Sequence, residues 1–341
     1  MRVAVYRNND DIRIEERPVP EIGPGEILVR VVASGICGSD VMEWYRVEKA
    51  PLVLGHEIAG EVERIGDGVE RFRPGDRVFV SHHVPCMSCR YCLAGQHTVC
   101  HTLHTTNFDP GGFAELLRVP QINVERGTFA LPDSVSFEAG SFVEPLACVL
   151  RGQRVAGITP DKTVAVVGAG ISGVLHIALL ASRGVARILA TDVSDYRLER
   201  ARRFGAHEVI DAREDVPARI RELNDDRGAD VVIICAGALS AAEQALASVD
   251  RGGTVLFFAT PAPGERLEVP VNRFWRNSVT LVPSYAGAPD DCAEAIDLLA
   301  RDAVPVVEMI THRLPLARIA DGFRLVAAGG RSLKVIVEPN R

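Results

Sequence analysis

Val167-Gly168-Ala169-Gly170-Ile171-Ser172-Gly173 follows one apolar run and precedes another, Val174 to Ala181, so a glycine-rich turn joins a strand to a helix. In this setting the first glycine permits a tight turn, and the second lets the backbone approach a pyrophosphate. The third packs the helix on the strand, and the diphosphate sits at the helix N-terminus. Ile171 and Ser172, between the last two glycines, belong to the same candidate site. An isolated glycine fingerprint also fits an ordinary tight turn, but here a second signal accompanies it. Asp192 ends the next apolar strand, nineteen residues after Gly173. A carboxylate there accepts the ribose 2′-hydroxyl and repels a 2′-phosphate, which predicts NAD over NADP.

Outward from this turn, strand-like and helix-like segments alternate. Thr163–Gly168, Ile188–Asp192, Glu208–Asp211, Asp230–Cys235, Thr254–Ala259 and Val279–Ser284 read as strands. Strand alternating with helix implies a doubly wound parallel sheet. Upstream of Pro132 the texture differs: Ile27–Ala33, Gly60–Ile65, Arg77–Val80 and Phe113–Val119 are short β-branched or alternating runs divided by Gly and Pro, an all-β region with long loops. Between the two regions Glu144-Pro145 opens a helical segment with Leu146, Val149 and Leu150 on one face, and Pro145 suits the first helical position. The tail carries an amphipathic helix at Asp290–Ala300 and a strand at Lys334–Val337, and is expected to pack back on the N-terminal lobe. The predicted domains are therefore 1–150 with 286–341, and 151–285.

The 341 residues carry 38 Lys and Arg against 45 Asp and Glu, a net charge of −7, which argues against a nucleic-acid backbone as partner. The opening MRVAVY alternates like a strand and lacks the basic flank and apolar run of a signal peptide. No stretch approaches the ~20 apolar residues of a membrane span. The expectation is a cytoplasmic protein whose partner is a small molecule. In a reducing compartment eight cysteines are not a disulfide framework. Cys86, Cys89, Cys92 and Cys100 fall within fifteen residues as C-x2-C-x2-C-x7-C, which lets one loop wrap four thiolates around a structural zinc. A second constellation is Cys37 in Gly35-Ile36-Cys37-Gly38-Ser39-Asp40, then Gly55-His56-Glu57, then Glu144. These residue types suit a zinc that keeps an open position. Spacing alone favours a buried cysteine, a core histidine and a capping glutamate.

The GICGSD and GHE stretches, the four-cysteine loop, the GAGISG turn with Asp192, and Glu144-Pro145-Leu146-Ala147 resemble the zinc-dependent medium-chain dehydrogenases, in particular the sorbitol (polyol) and threonine dehydrogenase branch. The resemblance runs from about residue 1 to 338. It implies a GroES-like β-barrel catalytic domain with a Rossmann domain, NAD as cofactor and two zinc ions per chain. By matching positions Cys37, His56 and Glu57 are ligands of the catalytic zinc, and Glu144 is a ligand or lies one water away. Ser39 resembles a relay hydroxyl that passes on the alcohol's proton. The branch's histidine three residues later is Met42 here, which breaks the usual relay. His83 resembles a cleft-lining histidine of the threonine enzymes; a surface loop histidine is the equal alternative. In Pro283-Ser284-Tyr285 the branch's substrate-holding tyrosine stays while its arginine is lost. Glu43, Trp44, Tyr45 and Arg46 form a divergent stretch offering an aromatic wall and charges, and Arg197 lies near the adenosine end by resemblance. The activity implied is reversible oxidation of a secondary alcohol (a polyol, sugar derivative or hydroxylated small acid) to the ketone, with hydride passing to NAD. The rivals are a primary-alcohol dehydrogenase of the same family and a noncatalytic redox sensor that binds NAD and zinc. The branch implies a homotetramer or homodimer, with the apolar strand Val279–Val282 near a sheet edge.

Overall fold

The computed structural model describes residues 1–341 and divides into two units, Met1–Ala147 with Ala286–Arg341, and Cys148–Tyr285. The chain opens with β1 (Arg2–Asn8), β2 (Asp11–Glu16), β3 (Ile27–Gly35), β4 (Leu52–Val53), β5 (Glu57–Ile65), β6 (Arg77–Val80), β7 (Leu116–Val119) and β8 (Thr128–Ala130). It passes into the second unit for β9 (Thr163–Val167), β10 (Arg187–Asp192), β11 (Glu208–Asp211), β12 (Ala229–Ile234), β13 (Val249–Phe257) and β14 (Thr280–Pro283). It returns to the first for β15 (Ile310–Pro315) and β16 (Lys334–Glu338). No helix is long and apolar enough to cross a membrane.

In the first unit a seven-stranded sheet runs β15-β16-β3-β5-β6-β8, with β7 also on β3, beside a small β2-β1-β4 sheet. Alternate residues Ile27, Val29 and Val31 of β3 enter one core with Ile58, Val62 and Val78, the period of two that a half-buried strand requires. The pairing register does more than close the barrel. Gly35, the last residue of β3, lies opposite Glu57, the first of β5, and Ile336 of β16 pairs with Gly35 from the other side. Cys37, His56, Glu57 and Lys334 are thereby gathered at one end of the sheet although they come from three regions of the chain.

In the second unit all six strands are parallel in the order β11-β10-β9-β12-β13-β14, the 3-2-1-4-5-6 arrangement of a Rossmann sheet. All of β9 is buried, as a central strand covered on both faces should be. The glycine turn follows β9, where the strand order reverses.

Three segments differ from expectation. Phe113 and Ala114 do not extend β7; the Phe113 carbonyl accepts the Ala4 amide at 2.9 Å and its amide donates to Leu54 at 2.9 Å, so the segment crosses the small sheet instead. β13 begins at Val249, ahead of the expected Thr254. The helix expected to open at Pro145 runs from Val143 to Val155, placing Glu144 inside its first turn and not at its cap. Proline is tolerated at the third position because the first four amides of a helix lack intrahelical acceptors, and the Leu146 amide then bonds the Phe142 carbonyl at 2.9 Å.

Candidate active site and cofactor turn

Beyond β3 the chain tightens into a 3-10 turn at Gly38–Val41 capped reciprocally by Cys37 and Asp40. The Ser39 amide donates to Cys37 Sγ at 3.4 Å, and the Cys37 amide donates to Asp40 Oδ2 at 3.0 Å. Asp40 is fully buried, and its Oδ1 lies 3.4 Å from His56 Nδ1 and 3.5 Å from Arg46 Nη2. A carboxylate on Nδ1 orients the imidazole and leaves Nε2 as the ligand atom. Burial opposes ionisation of Asp40, but His56 first, then Arg46 and the Cys37 amide, hold its carboxyl below the usual range. Burial likewise opposes charging His56, and the attraction of Asp40 and Cys37 outweighs it, raising its pKa well above the ordinary value.

Donor atoms of Cys37, His56 and Glu57 lie within 4.8 Å of one another. One sulfur, one imidazole and one carboxylate are a donor set that fits zinc with a position to spare. Glu57, however, is not devoted to this cluster. Its Oε2 accepts a hydrogen bond from Lys334 Nζ, which also donates to the Ile36 carbonyl at 3.3 Å and stands 5.6 Å from the Phe142 ring centroid. Both side chains are buried, at 1 % and 0 % exposure. Gly35 makes room for them, since a Cβ there would overlap Glu57 Oε2 and lie 2.9 Å from Lys334 Nζ. Lys334 thus already matches part of the charge of Glu57.

Glu144 does not join the group of mutually close donor atoms. Its charge is felt instead at Cys292, whose thiol is pushed up by burial first and by Glu144 next. Ser39 is engaged by Arg46, which donates from Nη2 to the hydroxyl at 3.0 Å and from Nε to the carbonyl at 2.9 Å. His83 stacks on His82 with ring centroids 3.7 Å apart, and His82 lies 4.9 Å from His56. Burial, then His56, lowers the His83 pKa to about 3. Trp44 lines a surface depression with Asn8, Asp10, Glu43 and Val47, none of which is a donor of the cluster. Tyr285 is exposed at the end of the second unit. Asp40, His82 and Lys334 were not singled out as site residues from the sequence; Arg46 was read there only as one charge of the stretch Glu43–Arg46. Asp40 alone had a local signal, its place in the Gly-Ser-Asp turn after Cys37.

The four-cysteine loop closes as its spacing predicts. Sulfurs of Cys86, Cys89, Cys92 and Cys100 lie within 4.8 Å of one another, with Cys89 3.6 Å and Cys86 4.0 Å from Cys92. Zinc–sulfur bonds of ~2.3 Å place tetrahedral sulfurs about 3.8 Å apart, so the donor set fits a closed zinc site. Amides of Ser88 and Cys89 point at Cys86 Sγ from 3.5 and 3.2 Å and lower its pKa to about 5, while burial and the neighbouring thiols push Cys92 up to about 12. A bound dication removes this conflict by holding all four as thiolates.

At the glycine turn, Gly168 has φ +95°, and a Cβ there would meet Ala236 at 2.9 Å. A Cβ on Gly173 would overlap the Gly168 carbonyl, whereas nothing lies within 4 Å of one on Gly170. Gly170 caps the helix Ile171–Ser182, so the open position faces a helix N-terminus. Asp192 accepts the Ala169 amide on Oδ2 at 2.8 Å and the Ser194 amide on Oδ1 at 2.9 Å, with Arg197 Nη1 3.7 Å from Oδ2. These bonds pin the carboxylate beside the turn and leave each oxygen a further lone pair.

A family profile described as alcohol dehydrogenase GroES-like domain matches residues 23–132, and one described as zinc-binding dehydrogenase matches 172–301. A sorbitol dehydrogenase of Bacillus subtilis (strain 168) is 34% identical over 353 residues, covering 100% of this chain and 98% of that protein. Among solved structures, 2R,3R-butanediol dehydrogenase from Bacillus subtilis superposes with a TM-score of 0.86 at 28% identity, over 99% of each chain. A protein classed as a zinc-binding dehydrogenase from Sinorhizobium meliloti 1021, solved bound to NADP, superposes with a TM-score of 0.88 at 29% identity, over 99% of each chain.

Removing one partner of a buried ion pair strands the other. Lys334→Met should lower the unfolding free energy of the zinc-free protein by ~3–5 kcal/mol, and adding Glu57→Gln should recover most of that loss. Urea unfolding of the three proteins checks this; equal stability of single mutant and wild type would show that the pair carries no such weight.

Proposed function

The chain belongs to the zinc-binding alcohol dehydrogenase family, and from that premise we propose that it reversibly oxidises a secondary alcohol of a polyol, sugar derivative or hydroxylated small acid to the ketone, with NAD. The observation that carries this reading is the set of Cys37, His56 and Glu57 at one sheet end, three donors with Asp40 behind the imidazole. A binding protein has no use for an incomplete donor set of this kind. When bound, zinc supplies a Lewis acid that favours loss of the alcohol's proton, and NAD supplies the hydride acceptor.

The chain's own residues do the rest. Cys37, His56 and Glu57 would hold the catalytic metal, with Glu144 as a further ligand or one water away, and the four-cysteine loop would hold the second. Ser39 Oγ accepts a hydrogen bond from Arg46, so its own proton points away from the guanidinium and is free to be passed on as it receives the alcohol's proton. Met42 offers no acceptor for the next step, so the proton leaves Ser39 by cofactor ribose or water. His83, Trp44 and Tyr285 are the proposed substrate contacts. Gly168, Gly170 and Gly173, with the amides of Ile171 and Ser172, would receive the diphosphate. Asp192, with Arg197 beside it, would receive the adenosine ribose.

A panel of polyols, sugars, hydroxy acids and ethanol, read as NADH absorbance with zinc-loaded protein, tests the reaction. Turnover of secondary alcohols is expected, and no NADH from any of them would overturn the reading. Metal analysis should find two zinc ions per chain, and mild chelation should abolish activity while the four-thiolate ion is retained. Glu144→Gln should keep both ions and change the melting temperature little, yet lose most turnover or shift its pH profile; unchanged kinetics would confine Glu144 to the fold. Wild type should prefer NAD to NADP, and Asp192→Ser should narrow that gap by relieving repulsion of the 2′-phosphate. Better use of NADP by wild type would contradict the role given to Asp192.

A further inference from the structure

The divergent stretch after the GSD turn forms a short helix, Glu43–Arg46, and a 3-10 turn, Val47–Lys49, that fold back on the site. Arg46 is the residue brought closest to the chemistry. Its Nη2 lies 3.0 Å from Ser39 Oγ, and only 13 % of its side chain is exposed. Nε and Nη2 are spent on Ser39, while Nη1 donates to no protein acceptor. The one carboxylate beside the guanidinium, Asp40, is shared with His56 and bonded to the Cys37 amide. Glu43, the nearest acid on the same helix, accepts the Asn9 amide at 3.1 Å. A second cation shares the Tyr45 ring with Arg46: Lys49 Nζ and Arg46 Cζ each lie 4.5 Å from its centroid.

A largely buried guanidinium with half a carboxylate to itself is costly unless another anion completes its shell. The surroundings supply none. Arg46 and Lys49 both act on the His83 imidazole, which places the two permanent cations in one region. A planar fork with a spare nitrogen is suited to a carboxylate or phosphate, and a flexible ammonium beside it adds a second point of attachment. Because Arg46 also touches the hydroxyl that handles the alcohol's proton, a short carbon skeleton spans from the reacting carbinol to Nη1.

We propose that the alcohol oxidised at this site carries an anionic group, a carboxylate or a phosphate ester, and that Arg46 and Lys49 hold it. This rests on the dehydrogenase reading above and narrows its substrate class from neutral polyols to charged ones. The cofactor diphosphate is the competing anion for Arg46, and the kinetics separate the two.

The test uses zinc-loaded enzyme, NAD and one skeleton in three forms: xylitol, xylonate and xylitol 5-phosphate. One of the charged forms should exceed xylitol in kcat/KM by about 100-fold, and which of them does so distinguishes carboxylate from phosphate. Arg46→Met and Lys49→Met should each cut that ratio about 10-fold, with Arg46→Lys restoring part of it. The dissociation constant of the preferred anion in the presence of NADH, measured by calorimetry, should rise by the same factor in both methionine variants. Lys49→Met keeps the test decisive if Arg46→Met does not fold. Xylitol as the best substrate, or a ratio untouched in the variants, would overturn the proposal and leave the dehydrogenase reading standing. A raised KM for NAD in Arg46→Met with an unchanged ratio would assign Arg46 to the cofactor and also overturn it. No NADH from the charged forms, with turnover of a neutral alcohol from the wider panel, would overturn the proposal alone; no NADH from these three or from any member of that panel would remove both readings.

Discussion

Asp40 is fully buried, and its two oxygens meet the Cys37 amide, the His56 imidazole and the Arg46 guanidinium. Each contact addresses a different requirement. The amide bond closes the turn that presents Cys37, the contact at Nδ1 orients the imidazole, and the guanidinium ties the Glu43–Arg46 helix to Ser39. One carboxylate thus couples the turn of Cys37, the ring of His56 and that short helix. Water would supply none of this order, because a mobile solvent shell fixes neither a tautomer nor a rotamer.

Glu57 and Lys334 solve a related problem on the far side of the sheet end. A carboxylate at 1 % exposure needs a counter-charge whether or not a metal is present, and Lys334 provides it. The pair fits only because β3 ends in Gly35. The first glycine of the Gly-Ile-Cys-Gly stretch is therefore a matter of volume, whereas Gly168 answers to a positive φ and Gly173 to close packing on the Gly168 carbonyl.

What could be read from the sequence was whatever is local. The four-cysteine loop and the glycine turn each carry their whole geometry within fifteen residues or so, and both folded as their spacing predicts. The alternation of strand and helix after Lys162 likewise yields the parallel sheet, because a run of β-branched residues buried on both faces has few other uses. The helix starts at Val143, two residues before the position that proline marks most often, because a first-turn amide needs no intrahelical acceptor and its loss is tolerated at the third position too. Lys334 was invisible as a partner of Glu57 because 277 residues separate them and only the β16-β3-β5 register brings them together. Arg46 ends a helix of a single turn and His82 sits in a loop, and neither is long enough for a periodicity to announce which way a side chain turns.

The discontinuity of the first unit bears on how the chain is made. Residues 148–285 form a contiguous unit whose six strands are all present once Tyr285 has left the ribosome. The first unit, although it begins at Met1, waits for β15 and β16, and Glu57 waits for Lys334. Synthesis order and completion order are thus reversed: the unit begun first is finished last. Until β16 emerges, the nascent chain carries a sheet edge at β3 and an uncompensated acid beside it. Truncation just before Lys334 would accordingly leave the unit that holds Cys37, His56 and Glu57 without the strand that pairs with β3.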